Sequence, residues 1–170
     1  MQITKIKQWD KSQNGEVVNH VEIHYSEGVK NIILHDTRKA SPEFYKLFKE
    51  LSPHVCNICE FANHEAERTI VTGVSISYDE SPEGDEIQRI IFTARRKLVA
   101  TSKPLIFNTP LMCSTHTDKA QELSAECFGI VEALSAEAEE YIEGKREQLD
   151  LFDGNEEENP AIDDQEAQTE

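Results

Sequence analysis

The sequence predicts an α+β domain over residues 1–146 and a disordered acidic tail over residues 147–170. Two observations predict the domain: short runs in which apolar and polar residues alternate, typical of strands, and two longer stretches with apolar residues at helical spacing. The tail has 10 acidic side chains and no lysine or arginine, a composition that cannot bury enough apolar surface to fold alone. The predicted order is β-β-β-α-β-β-α.

Three strands open the domain. Residues 17–25 alternate most clearly, residues 29–35 form a second apolar run after a glycine-containing turn, and the weaker alternation of residues 3–9 predicts a strand before both. The residues predicted to face inward in the clearest strand are Val17, Val21, Ile23 and Tyr25.

The first helix is predicted to begin at Ser41, an N-cap residue followed by proline at the first helical position. Apolar residues continue at helical spacing to Ala62, but Pro53 interrupts the pattern and predicts a kink or a split. We expect this helix to cover one face of a sheet.

Two further strands and a long helix complete the domain. Residues 69–78 and 87–98 alternate, and the acidic stretch between them predicts a hairpin. We expect residues 104–110 to form a loop, Asp118 to cap the long helix and Gly144 to end it. The inward-facing residues are predicted to be Ile70, Val74, Ile76, Tyr78, Ile90, Phe92 and Ala94 in the strands and Leu123, Cys127, Val131, Leu134, Ala138 and Tyr141 in the helix.

The order of three strands, a helix and two strands is also that of the OB-fold, a five-stranded barrel that often binds single-stranded nucleic acid. An OB-like barrel is therefore one form that the predicted domain can take. Element order alone is weak support for it.

The negative charge of the chain is concentrated at its C-terminal end. Residues 1–117 contain 15 acidic and 14 basic side chains, whereas residues 118–170 contain 18 and 3. A strongly acidic segment repels nucleic acid, so we expect any DNA contact to lie in the first part. Since neither a signal-peptide pattern nor an apolar run of about 20 residues occurs, we expect a cytoplasmic protein.

The most specific pattern lies in the acidic tail. It consists of Gln148, Leu149, Asp150, Leu151 and Phe152. These five residues resemble the pentapeptide with which bacterial polymerases, mismatch-repair proteins and other clients bind the DNA sliding clamp. In such a peptide the apolar side chains enter preformed pockets, while the glutamine amide fixes the register by hydrogen bonds. The resemblance implies that the clamp is a partner.

A competing interpretation is that the long helix continues through this motif, so that Leu149 and Phe152 extend its buried stripe. Gly144 and the two basic residues after it favour an end to the helix instead. Glycine is common just past a helix terminus, and cations are stabilised there by the helix dipole.

The cysteines allow a metal site, but the sequence favours an interpretation without one. Cys59 belongs to the apolar stripe of the first helix, and the turn-forming glycines usual around zinc are missing. We therefore expect no metal, no other cofactor and, without a secretory signal, reduced thiols. The weak candidates for zinc ligands are Cys56, Cys59, Cys113 and His116, with His54 and His64 as alternatives.

The main concentration of basic residues lies in and after the fifth strand. It consists of Arg89, Arg95, Arg96, Lys97 and Lys103. Such residues can follow the phosphate backbone of single-stranded DNA, and in that case the acidic tail competes with DNA for them. The alternative is a solvated edge strand whose charges prevent pairing between sheets.

Four segments of the core carry a second resemblance. They are Ser52-Pro53-His54-Val55, Val71-Thr72-Gly73-Val74-Ser75, Ala94-Arg95-Arg96-Lys97-Leu98 and residues 104–110. The core resembles a group of small, mostly uncharacterised proteins of temperate bacteriophages and prophages, encoded among replication and recombination genes. The resemblance spans about residues 3–146 and implies a genomic context but no catalytic residues.

Together these patterns predict a phage or bacterial accessory protein of DNA replication or recombination that docks on the sliding clamp, with single-stranded DNA as a second partner. No nucleotide-binding loop, serine-hydrolase, zinc-protease or paired acidic metal motif occurs, so we expect no catalytic activity. Two alternatives stay open. One is an inhibitor that occupies the clamp to block host replication; the other is an acidic DNA mimic that counters a host defence nuclease, favoured by the charge of residues 118–170.

Overall fold

The structure, a computed structural model, describes residues 1–144 as seven strands and two α-helices. The strands are β1 (Gln2–Gln13), β2 (Glu16–Glu27), β3 (Lys30–Asp36), β4 (Thr69–Glu80), β5 (Glu86–Arg96), β6 (Leu105–Asn108) and β7 (Met112–Cys113). The helices are α1 (Pro42–Ile58) and α2 (Ala125–Ile142), and short 3₁₀ helices (Asn63–Arg68 and Lys119–Gln121) precede β4 and α2. The α+β class and the order of the five long strands and two helices are confirmed.

The strands form one antiparallel sheet in the order β3-β2-β1-β4-β5-β6, and β7 pairs with the earlier part of β5. Within residues 1–144, no pairing joins β3 to β5 or β6, so the sheet stays open. The barrel closure expected of an OB-like fold is therefore not present in the described part of the chain. Closure of a barrel would require a long strand to pair with the outer edge of β5, but the short strands β6 and β7 pair with that edge.

The β1–β2 hairpin is longer than predicted. Asn14 and Gly15 at its turn have φ values of 52° and 84°, the conformation that makes Asn-Gly the favoured two-residue hairpin turn. The two strands pair from this turn onwards. Val17 lies beside the turn and is 72% exposed, so its predicted inward orientation is wrong.

The first helix is continuous, so of the two predicted effects of Pro53, a kink or a split, the split is wrong. Ser41 Oγ accepts a hydrogen bond from the Phe44 amide (3.2 Å), and Pro42 follows in the first turn, as predicted. The helix then runs through Pro53 to Ile58. Proline has no backbone N–H, so the carbonyl one turn earlier loses its hydrogen-bond partner. Because Pro53 is exposed, this carbonyl can bond to water instead.

Three details after α1 differ from the predictions. A bulge after Val71 shifts the alternation of β4, so Val71 is buried and Ile70 is 38% exposed. Leu105–Asn108, part of the expected loop, is strand β6 because its backbone pairs with β5. Asp118 caps the short 3₁₀ helix, whereas α2 is capped by Ser124, whose side chain accepts a hydrogen bond from a backbone amide.

Both helices pack on one face of the sheet, and their apolar sides form a single core with the inward residues of the long strands. The predicted helical stripe is buried from Cys127 to Tyr141, as expected, whereas Leu123 is buried but precedes α2. In residues 1–144 no helix covers the opposite face of the sheet, here called the helix-free face. The largest fully buried side chains are Tyr141, Phe44, Phe92, Ile3, Ile6, Ile23, Leu51, Ile90, Leu134, Val21, Val55 and Val71.

Candidate nucleic-acid interface

The helix-free face carries basic side chains along β1. Ile6 points to the core, so strand alternation places Lys5, Lys7 and Trp9 on the helix-free face. The residues directly opposite these three on β2 are, respectively, His24, Glu22 and His20.

Trp9, the single tryptophan of the chain, belongs to an aromatic cluster on this face. Its ring stacks on His20 with 5.2 Å between centroids, and His35 of β3 lies 5.5 Å away. His20 Nδ1 and His35 Nε2 share a hydrogen bond of 2.9 Å, while the buried His20 Nε2 has no partner in the described part of the chain. Aromatic rings on a sheet are a surface on which unpaired bases stack.

Lys5 and Lys7 repel each other, and the carboxylate of Glu22 offsets this repulsion in part. Partial burial, followed by the charge of Lys7, lowers the pKa of the Lys5 ammonium. Burial alone would raise the pKa of Glu22, but its hydrogen bond with His24 (2.8 Å) and the charges of Lys7 and Lys5 hold it below the ordinary range. A phosphate beside the two lysines would relieve the repulsion between them.

The basic residues predicted on β5 do not guard a free edge. β5 pairs with β4 on one side and with β6 and β7 on the other. Since β5 lies inside the sheet, the interpretation of Arg89, Arg95 and Arg96 as protection of an edge strand is wrong.

Two of the five predicted basic residues are engaged within the domain. Arg89, near the start of β5, pairs with Asp79 at 2.5 Å. Arg96 pairs with Glu65 at 2.8 Å, and its guanidinium lies 4.7 Å from the centre of the Phe61 ring. These two arginines therefore stand apart from the other three.

The other three, Arg95, Lys97 and Lys103, line a cleft of about 210 Å³ beside the end of β5, here called the β5–β6 cleft. Arg68, which no sequence pattern singled out, adds a fourth basic side chain. Among the described residues, no acidic side chain lines this cleft. Its remaining walls are Ile70, Leu98, Thr101, Ser102 and Pro104.

The structure does not bring the zinc candidates together. Cys56 is buried in α1, with its Sγ 3.5 Å from the Thr69 hydroxyl, and Cys113 is buried in β7. In residues 1–144 no group of three or more histidine, cysteine or acidic side chains is placed to hold a metal ion. Cys56 and Cys59 thus form no tetrad with Cys113 and His116.

The predicted clamp-binding motif lies outside the described residues. Before it, α2 ends at Ile142, and Gly144 has a φ of 106°, a left-handed conformation common just after helix ends. The competing interpretation, in which α2 runs on without a break past Gly144, is therefore wrong. The residues of the motif are Gln148, Leu149, Asp150, Leu151 and Phe152.

Part of this surface had a sequence signal. Lys5, Lys7 and Trp9 alternate with inward residues in the first predicted strand, so their shared face could be predicted. Arg68 precedes β4 and has no such signal, because only the pairing of β4 with β5 brings it to the cleft.

Comparisons with protein-family models, curated proteins and solved structures found no match for this chain. None of the helices in residues 1–144 is long and apolar enough to cross a membrane. Only the chain's own residues therefore bear on its function.

Proposed function

We propose that this protein is an accessory of phage or bacterial DNA replication or recombination. It docks on the sliding clamp through residues 148–152, and its domain binds single-stranded DNA, in the cytoplasm and without a catalytic step or cofactor. The match of all five tail residues to the clamp-binding peptide carries the proposal. The helix-free face supports the second activity.

The end of α2 supports a peptide that is free to dock. The Tyr141 ring is buried 6.4 Å from the Phe44 ring, and its hydroxyl donates to the Arg38 carbonyl (2.6 Å). The described core thus extends to the last turn of α2, directly before the segment that carries the motif. A short peptide after a helix end can place its apolar side chains in the pockets of a partner.

The helix-free face supports single-stranded rather than double-stranded DNA. Stacking on Trp9 requires unpaired bases, while Lys5 and Lys7 can neutralise phosphates of the same strand. The β5–β6 cleft adds further basic groups. It lies two strand spacings from β1, roughly 10 Å across the sheet, so a short single strand can reach both.

Clamp docking is tested by titrating the full chain into a purified bacterial clamp. We expect a dissociation constant in the micromolar range, about −8 kcal/mol, and loss of binding when Leu151→Ala and Phe152→Ala are combined. Ile162→Ala, an apolar residue of the same tail outside the motif, is the matched control and should bind normally. Undiminished binding by the double variant would contradict clamp docking.

DNA binding is tested through the fluorescence of Trp9. We expect oligothymidylate to quench this fluorescence and to shift the protein in gels at low salt, with weaker binding as salt rises. If neither effect occurs, the domain is a protein-binding module. The clamp inhibitor or the DNA mimic would then explain the acidic C-terminal region better.

A further inference from the structure

The backbone around the β5–β6 cleft is fixed by hydrogen bonds. The Lys97 amide donates to the Arg68 carbonyl (3.0 Å), and the Arg68 guanidinium donates in return to the Lys97 carbonyl (2.6 Å). On the other wall, the Lys103 amide donates to the Thr101 hydroxyl (3.3 Å), and Pro104 restricts the chain that follows. The basic side chains therefore stand on a preorganised frame, which lowers the entropic cost of binding a ligand.

Only one of the four basic groups of this cleft, Arg68, has an acidic partner among residues 1–144. Glu65 pairs with Arg68 (3.4 Å) and with Arg96 (2.8 Å), but it does not line the cleft. The other three basic groups of the cleft form no ion pair with an acidic side chain of residues 1–144. Since several cations share one small space, their repulsion favours an anion among them.

The size and the walls of the cleft indicate which anion fits. Its volume of about 210 Å³ is below the roughly 300 Å³ at which pockets for whole small molecules begin. A phosphate group with part of a sugar is of the right size. The Arg95 guanidinium can hold two phosphate oxygens at once, the hydroxyls of Thr101 and Ser102 can donate to them, and Ile70 offers an apolar wall to the sugar.

We infer that the β5–β6 cleft is a binding site for a phosphate group. On a DNA strand, this group is either a terminal phosphate or one internal phosphodiester. The inference rests on the proposed function for the source of the phosphate, while binding of the group itself can be measured without DNA.

The first experiment uses inorganic phosphate and the ¹⁵N-labelled full chain at constant ionic strength. Amide signals of residues 95–103 should shift and saturate with phosphate but not with chloride. The variant Lys97→Glu, Lys103→Glu should lose this response, and the control Lys30→Glu, Lys49→Glu, with the same charge change at exposed positions elsewhere, should keep it. Absence of saturable shifts in the unaltered protein, or their persistence in the cleft variant, would overturn the inference.

The second experiment identifies the source with 12-nucleotide oligothymidylates that end in a 5′-phosphate, a 3′-phosphate or hydroxyls only. One outcome is that one phosphorylated oligonucleotide binds about tenfold more tightly than the others, a difference of 1.4 kcal/mol. If the cleft variant abolishes this preference, the cleft binds that terminal phosphate. If all three oligonucleotides bind equally, and the cleft variant but not the control weakens their binding, the cleft binds an internal phosphodiester.

The two experiments separate this inference from the proposed function. Phosphate shifts without binding of any oligonucleotide would support the cleft and contradict single-strand binding. Oligonucleotide binding that the cleft variant retains, without phosphate shifts, would overturn the cleft alone. Clamp docking is measured separately on the tail variants.

Discussion

Replacing Lys5 and Lys7 by glutamine should weaken single-strand binding in a salt-dependent way. Each phosphate that a lysine neutralises contributes about 0.7 to the slope of log affinity against log salt concentration for a single strand. Both lysines lie on the helix-free face of β1, two residues apart, so one strand can contact both. The double variant should therefore reduce the slope by about 1.4.

A slope change of this size has a measurable consequence. Between 50 and 200 mM salt, the ratio of the two affinities should change about sevenfold, with the larger difference at low salt. The fold should tolerate the change, because Lys5 and Lys7 repel each other. Lys7 also loses a contact with Glu22, but at 3.9 Å and with the lysine 36% exposed this pair is worth at most about 1 kcal/mol.

The assay is fluorescence anisotropy of a labelled oligothymidylate from about 50 to 400 mM salt. Lys46→Gln combined with Lys49→Gln removes the same charge from the exposed side of α1 and should leave the slope unchanged. An unaltered slope for the β1 variant together with a reduced slope for the α1 control would place the strand on the helical side. The assignment of DNA to the helix-free face would then be wrong.

Two further predictions concern partly buried groups, Cys59 and Glu22. In the native protein Cys59 should be the first of the four cysteines to react with a thiol reagent, because the other three are buried. Burial raises the pKa of Cys59 and, with the charge of Glu126, raises the pKa of Cys127 to about 12, so Cys59 should still react more slowly than a fully exposed thiol. A second cysteine that reacts as fast as Cys59 in a colorimetric titration would refute this. Glu22→Gln should lower stability by about 1 kcal/mol at pH 7. The difference should shrink once the pH falls below the ordinary glutamate pKa of about 4.3 and vanish only below the depressed folded-state pKa of Glu22, because the carboxylate stabilises the fold only while it is ionised; equal differences in urea unfolding at pH 7 and pH 3 would contradict it.

The buried side chains of a strand were predictable where its alternation is unbroken and one face packs against the helices throughout. Ile90, Phe92 and Ala94 of β5 are buried as their alternation predicts, because the same helices cover this stretch. In β4 the bulge next to Gly73 reverses the pattern, so Val71 rather than Ile70 faces the core. Glycine inside a strand pattern is a signal for a bulge, but it does not say on which side of the glycine the phase changes.

The basic site was only partly predictable, because neighbours in sequence need not be neighbours in space. Arg95 and Arg96 are adjacent, yet Arg96 pairs with Glu65 while Arg95 lines the cleft. Arg68 joins the cleft through hydrogen bonds with Lys97, 29 residues away. Such contacts depend on strand register, which no local pattern records.

The aromatic cluster illustrates the same limit. Trp9, His20 and His35 come from three strands, and two registers must be known before they can be placed together. The sequence predicts each of the three strands, and alternation predicts the side on which His20 lies. Only the pairing of β1 with β2 and of β2 with β3 shows that the three rings meet.

Removal of residues 147–170 should tighten single-strand binding if the tail competes with DNA. The segment holds 10 acidic side chains and no basic ones; as the disordered chain that its sequence predicts, it would span roughly 27 Å. It follows the end of α2, where the Tyr141 hydroxyl bonds to the carbonyl of Arg38, shortly after β3. The helix-free face therefore lies within its reach.

The gain in affinity should be several-fold at low salt and should disappear near 1 M salt, where the screening length falls to about 3 Å. Charge reversal at Lys7 and Arg95 should cancel it, because both side chains belong to the surface for which tail and DNA compete. A full-length chain whose 10 tail acids are replaced by their amides keeps the bulk of the tail and loses only its charge. If this variant binds like the unaltered protein while the truncated chain binds more tightly, the tail hinders DNA by its volume, and electrostatic competition is refuted.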